Sequence, residues 1–161
     1  MQRMSNGTIG LVFAGIVALT GTIALAAPAQ SEQGVGRVCS DATIKGTFGG
    51  NISGTRPWPP PSGPLESVTG VVIRTYDGEG QFTQIDNVKG TTSGIVPDRP
   101  GSGTYHVNED CTGVTEFVPG PGILVRERIV IVDDGNEIRG MVEFPPAISI
   151  TGPGAKRIHT R

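Results

Sequence analysis

Glu127 stands on a side of its strand that is otherwise apolar. Ile123, Val125, Ile129 and Ile131 alternate along one run, and Ile138, Val142 and Phe144 along the next, with Asp133-Asp134-Gly135-Asn136 between them. Alternation around an Asp-Gly turn predicts a β-hairpin. With Asp134-Gly135 as a two-residue turn, Arg126 faces Glu143, Glu127 faces Val142 and Arg128 faces Met141. The Arg126–Glu143 pair belongs on the outer face and is worth at most about 1 kcal/mol. A carboxylate on the inner face needs a hydrogen bond, an ion partner or a proton. In a cavity its pKa would be raised by desolvation, which suits a general acid or base. Glu127 is therefore the candidate catalytic residue. Three plainer readings compete with this. A bulge turns it outward, an internal arginine such as Arg74 pairs with it, or the strand is an edge wet on both faces.

The other reactive side chains point to ordinary structure. His106 shares a strand face with Thr104 and Asn108, opposite Tyr105 and Val107, so it is expected at the surface. No Gly-x-Ser-x-Gly elbow accompanies it. The acidic pairs Asp77/Glu79, Glu109/Asp110 and Asp133/Asp134 lie in turns, and their spacing fits no full calcium loop. Cys39, Cys111, His106 and His159 make no zinc spacing, so no metal site is expected, and no cofactor is implied. In an exported chain two cysteines most simply form one disulfide, Cys39–Cys111. Across 72 residues it would stabilise the fold by about 4 kcal/mol in the loop-entropy picture. The alternative is two free thiols.

Export is read from the first 29 residues. Arg3 precedes an apolar stretch, Ile9 to Ala27, and Ala24-Leu25-Ala26 and Ala27-Pro28-Ala29 both fit a signal-cleavage pattern. The alternative is a retained membrane anchor, since the stretch approaches the ~20 residues that span a bilayer. Cleavage after Ala29 leaves residues 30–161 as one domain, secreted or periplasmic. That part holds 12 basic and 15 acidic residues. The basic residues are scattered, which gives no electrostatic footprint for nucleic acid. Nor does the cleaved chain have a membrane partner.

The elements that must position these residues are strands. Gln30 to Val38 reads as a flexible leader. Ser40 caps a short turn through Asp41-Ala42-Thr43. Strand chemistry follows at Lys45–Ser53, Leu65–Tyr76 and Gln81–Val88, the last with Phe82 set against Gln84 and Asp86. Gly54 to Pro64 holds too many prolines for a regular element. It carries the only tryptophan, Trp58, as a lid, a docking segment or a stiff connection. Lys89–Ser102 reads as a long loop or edge segment. Gly103–Asn108, Val114–Val118, the hairpin from Ile123 to Phe144, and two short runs, Ala147–Thr151 and Ala155–Thr160, complete about eight strands. No stretch after the leader has helical periodicity. Hairpin after hairpin predicts an all-β, single antiparallel up-and-down eight-stranded barrel, with a β-sandwich as the alternative. Closure removes exposed edges.

Two stretches carry a resemblance, Cys39-Ser40-Asp41-Ala42-Thr43-Ile44-Lys45-Gly46-Thr47-Phe48 and Gly103-Thr104-Tyr105-His106-Val107-Asn108-Glu109-Asp110-Cys111-Thr112-Gly113. With Tyr76-Asp77-Gly78-Glu79-Gly80 they look like a small exported bacterial family of largely unknown function, similar to the allene oxide cyclase-like barrels that include the dirigent proteins. The resemblance implies an eight-stranded barrel with a central cavity. It places no functional residue.

Three functional classes follow. The first is a module that binds a small apolar ligand through Trp58, Tyr76, Phe82, Tyr105, Ile129 and Val142, with the loops around Trp58 and Ile95 at the mouth. The second is a cofactor-free isomerase or cyclase using Glu127. The third is a structural or interaction protein with a filled barrel. The oligomeric state is not legible.

Overall fold

A computed structural model describes residues 38–120 and 122–159. The first 37 residues, with both expected cleavage positions, lie outside the described residues. A 3₁₀ turn, Asp41–Ile44, precedes eight strands. These are β1 (Gly46–Pro57), β2 (Leu65–Tyr76), β3 (Gln81–Gly90), β4 (Gly94–Val107), β5 (Thr112–Gly120), β6 (Ile123–Val132), β7 (Glu137–Phe144) and β8 (Ser149–Arg157). Each pairs antiparallel with the next, and β8 returns to β1, which closes an up-and-down barrel. Among the described residues no helix is long and apolar enough to cross a membrane.

The two ends of the barrel differ. At one end lie the β2–β3, β4–β5 and β6–β7 turns, the 3₁₀ turn and the disulfide between Cys39 and Cys111, whose Cα atoms are 5.0 Å apart. Ile44, Phe48, Tyr76, Phe82, Tyr105, Val107, Ile129, Ile131 and Ile138 pack there into one buried cluster. The 3₁₀ turn is strapped across this floor from several strands. Asp41 accepts from the Val107 amide at 2.6 Å, and the Tyr105 hydroxyl donates to the Asp41 carbonyl at 3.1 Å. Arg157 lies over the Phe48 ring and donates to the carbonyls of Lys45, Thr43 and Gly135. At the other end are the connections after β1, β3, β5 and β7, and there the interior is not filled.

Small inward residues mark the difference. Gly50 on β1, Gly140 on β7 and Gly152 on β8 line the interior above the floor. Gly50 and Gly140 let Ala155 and the Arg128 carbonyl with Ile129 approach closely, while Gly152 leaves open space where a side chain would stand. The residue pattern along β1 passes from Phe48, fully buried, to Gly50 and Ile52, and the cavity begins where the large side chain stops.

Several expectations change here. The segment expected as a loop over Lys89–Ser102 is the end of β3, a tight turn and the first two-thirds of β4. Over Gly94–Ser102, β4 pairs with β3 alone, because the ladder to β5 begins at Gly103. A one-sided strand tolerates Pro97 and Pro100, which lack an amide hydrogen. The two short runs at the end of the chain are one strand, β8, with an irregular register beside β7. In the β6–β7 hairpin the connection spans four residues, Asp133 to Asn136, since Val132 pairs with Glu137. Glu127 does face Val142 and Arg128 does face Met141. Arg126, however, faces Phe144, because the register shifts between Arg126 and Glu127. Arg126 instead pairs with Glu116 at 2.6 Å, and Glu143 takes Arg128 at 2.7 Å.

Candidate functional site

The cavity measures about 140 Å³. Val72, Val88, Val125, Ile129, Val142 and Ile150 give it apolar walls, and Arg56, Pro119 and Ile148 stand towards its open end. Its polar wall comes from β2, β3, β4 and β6. On β2 and β3 the even-numbered residues point inward. The inward set therefore includes Glu66, Arg74, Gln84 and Asp86 as well as Val68, Tyr76 and Phe82. Phe82, Gln84 and Asp86 share one face, which corrects the expectation that Phe82 opposes the other two.

These polar groups form one hydrogen-bonded chain. The Thr115 hydroxyl donates to Glu127 Oε2 at 2.6 Å, and Arg74 Nη1 donates to the same oxygen at 2.8 Å. Arg74 Nε and Nη2 both donate to Gln84 Oε1, at 3.0 and 2.7 Å. Gln84 Nε2 donates to Asp86 Oδ2 at 3.1 Å, and Arg99 grips both Asp86 oxygens at 2.9 Å each. The Arg74 guanidinium also lies over the Phe82–Phe117 ring pair, 4.4 Å from the Phe82 centroid and 5.2 Å from that of Phe117. A flat, delocalised cation suits that position better than an ammonium would. Its Nη1 reaches the Tyr76 hydroxyl at 3.3 Å.

A third internal ion pair braces the rim. Glu66 is buried, accepts from Arg56 Nε at 2.9 Å and from the Ser93 hydroxyl at 2.8 Å, and takes the amides of Thr92 and Ser93. Burial pushes this carboxyl up. The Ser93 amide, Arg56, the Ser93 hydroxyl and the Thr92 amide together outweigh it and hold the pKa at about 2. Arg56 also covers Trp58, 5.3 Å from its ring centroid. One carboxylate thus ties the β3–β4 turn to the strand that leads into the proline loop.

Glu127 faces the interior, and its partner is Arg74, the internal arginine named among the plainer readings. The expected raised pKa is corrected. Burial does push the carboxyl up, but the Arg74 charge and the hydrogen bonds from Arg74 and Thr115 bring it below the ordinary value. A carboxyl held ionised this way is a poor proton donor at neutral pH and a weak base.

The six residues expected to touch a ligand separate. Tyr76, Ile129 and Val142 line the cavity. Phe82 and Tyr105 are buried in the floor cluster and do not line it. Tyr105 spends its hydroxyl on Gly78 and Asp41. Trp58 lies beyond the end of β1, on Arg56 rather than on the cavity wall, while Ile95 is exposed beside the β3–β4 turn at the same end. His106 is exposed, with its Nδ1 3.6 Å from Asp41. The acidic turn residues do turn chemistry. Asp77 accepts from the Glu79 and Gln81 amides, and Asp110 from Thr112. Among the described residues no three His, Cys, Asp or Glu side chains gather as a metal site would require.

The interior polar residues Glu66, Gln84, Asp86 and Arg99 were missed from sequence. The available signal was parity, since Gln84 and Asp86 lie two and four residues beyond Phe82. Compared with protein-family models, curated proteins and solved structures, the chain matches none. The cavity must therefore carry the functional argument by itself.

Proposed function

We propose that this protein is an exported binding module that holds one small molecule inside the open half of its barrel. The carrying observation is the cavity of about 140 Å³, apolar over most of its wall and polar at the Arg74–Glu127 corner. For comparison, a dry cavity of roughly 150 Å³ in another protein accepts benzene. The expected ligand is thus about one ring in size, well below the ~300 Å³ and larger pockets that hold drug-sized molecules. Binding is favoured over isomerase or cyclase chemistry because the Arg74 ion pair removes the acid–base character such chemistry would draw from Glu127. The cavity itself favours binding over a filled structural barrel. Export rests on the leader and on a disulfide, which persists in oxidising compartments. If the reading holds, the mature protein begins at Ala27 or Gln30 by intact mass.

The test is calorimetric titration with single-ring compounds, on the wild-type protein and on Val142→Phe, which places a ring in the cavity from its wall. The wild type is expected to bind at least one such compound. The variant, with an unchanged circular-dichroism spectrum, is expected to lose that binding. Equal binding by both proteins would put the ligand elsewhere and end the proposal.

A further inference from the structure

Glu127 uses only one of its oxygens. Oε2 takes both the Arg74 and the Thr115 bond, and Oε1 accepts nothing among the described residues. Among them no buried side-chain oxygen or nitrogen lacks a partner. Oε1 therefore has accessible surface. Since Glu127 points inward and lines the cavity, that surface is the cavity itself. The Tyr76 hydroxyl accepts from Arg74, and its own proton has no acceptor among the described residues. Both groups are held on one nitrogen, Arg74 Nη1, so a free acceptor and a free donor stand side by side in a mostly apolar space.

Charge is already settled around them. Arg56 is paired with Glu66, Arg74 with Glu127 and Arg99 with Asp86. A charged ligand would enter a site whose ions are all matched, and its own charge would be buried without a partner. An uncharged ligand lacking a donor would cover Oε1 and leave an ionised oxygen dry and unpaired, which is the more costly side of a lost hydrogen bond.

We propose that Glu127 selects the ligand of this cavity, which is a neutral molecule with an apolar body and a hydrogen-bond donor, in the simplest case an alcohol. This rests on the binding reading above and adds the class of ligand to it. The alcohol donates to Glu127 Oε1 and accepts from the Tyr76 hydroxyl. A site built to hydrogen-bond a hydroxyl rejects analogues without one far more strongly than an apolar pocket discriminates by size.

Cyclohexanol and cyclohexanone test this, since they share size and oxygen position and differ in the donor. Cyclohexylammonium and cyclohexanecarboxylate test neutrality. In calorimetric titration of the wild type, cyclohexanol is expected to bind at least tenfold more tightly than the other three. Glu127→Gln brings an amide donor to the same place, and the alcohol-to-ketone ratio should fall or invert. Tyr76→Phe removes the donor that serves both oxygens. It should weaken both compounds and leave their ratio within about twofold. A ketone that binds the wild type as tightly as the alcohol overturns the selection by Glu127 and leaves cavity binding standing. A charged analogue that binds as tightly overturns neutrality. If none of the four binds while Val142→Phe still abolishes binding of some other ring compound, the ligand class is wrong and the cavity reading survives. If no single-ring compound binds at all, both readings fail together. The comparison on the wild type alone decides the matter should Glu127→Gln not fold.

Discussion

Replacing Arg74 by Met removes the cation that makes an internal carboxylate tolerable. Methionine keeps an unbranched apolar stem against Phe82 and Phe117 but gives Glu127, Gln84 and Tyr76 no donor. The side chains of Arg74 and Glu127 are 12% and 19% exposed, so this pair is screened far less than a surface pair. Removing one partner of such a pair costs about 3–5 kcal/mol, most of it for the stranded charge. With a urea dependence near 2 kcal/mol per molar, the midpoint falls by about 2 M. Arg74→Met/Glu127→Gln strands no charge and should recover about half of that loss or more. The sign of the pH dependence follows from the direction of the Glu127 shift. In the wild type its pKa lies below the ordinary value, so its stabilisation is present above that value and is lost as pH falls through the folded pKa. Without Arg74 only burial remains to act strongly, and it pushes the pKa above the ordinary value. The carboxylate then destabilises the fold at pH 7, and this cost is relieved as pH falls through the raised pKa. Urea unfolding at pH 7 and pH 5 should therefore show a smaller gap between wild type and Arg74→Met at pH 5. A loss under 1 kcal/mol, a gap independent of pH, or simple additivity in the double variant would refute the account of the pair.

Three further outcomes are expected. Cys39→Ser/Cys111→Ser should lose about 4 kcal/mol in urea unfolding, because the bridge closes a separation of 72 residues. Glu66→Gln should flatten the acid limb of stability. The stabilisation from a carboxyl held at about 2 is present above pH 4.5 and lost between there and pH 2, and the variant has no such group to lose. Gly54→Ala should cost about 2 kcal/mol or more by thermal or urea unfolding. An added Cβ meets the Ser149 carbonyl at the β1–β8 seam, where backbone cannot yield cheaply.

The strength of the local pattern decided which parts of this fold could be read from sequence. β6 alternates strictly, so the facing of Glu127 with Val142 and of Arg128 with Met141 was legible, while the direction of the Glu127 side chain stayed one of several readings. The slip at Arg126 was not legible, because a bulge leaves no mark on the alternation that precedes it. β4 was hidden by its own composition. Gly94–Ser102 pairs on one side only, and residues that would break a central strand are tolerated there. The polar chain through Gln84, Asp86 and Arg99 was concealed by the habit of placing charge outside. What reverses that habit is balance, since every internal carboxylate meets an arginine from another strand. Those meetings join residues as far apart as 74 and 127, and no short-range pattern specifies them. The cavity depends on which inward side chains come level around the barrel, a consequence of register that composition alone does not contain.

The barrel gathers its covalent and aromatic fastenings at the end opposite its opening. The disulfide, the aromatic cluster and the straps of the 3₁₀ turn all hold the floor, while the proline loop, the β3–β4 turn and the connections after β5 and β7 surround the opening. Substitutions in the rim connections, away from Arg56, Glu66 and Gly54, leave the floor's packing untouched, so those connections can diverge at little cost to the fold. The molecule is in that sense divided into a fixed floor and negotiable connections at the rim. A library confined to residues 60–62 and 146–147 would vary the rim while the cup beneath it stayed the same.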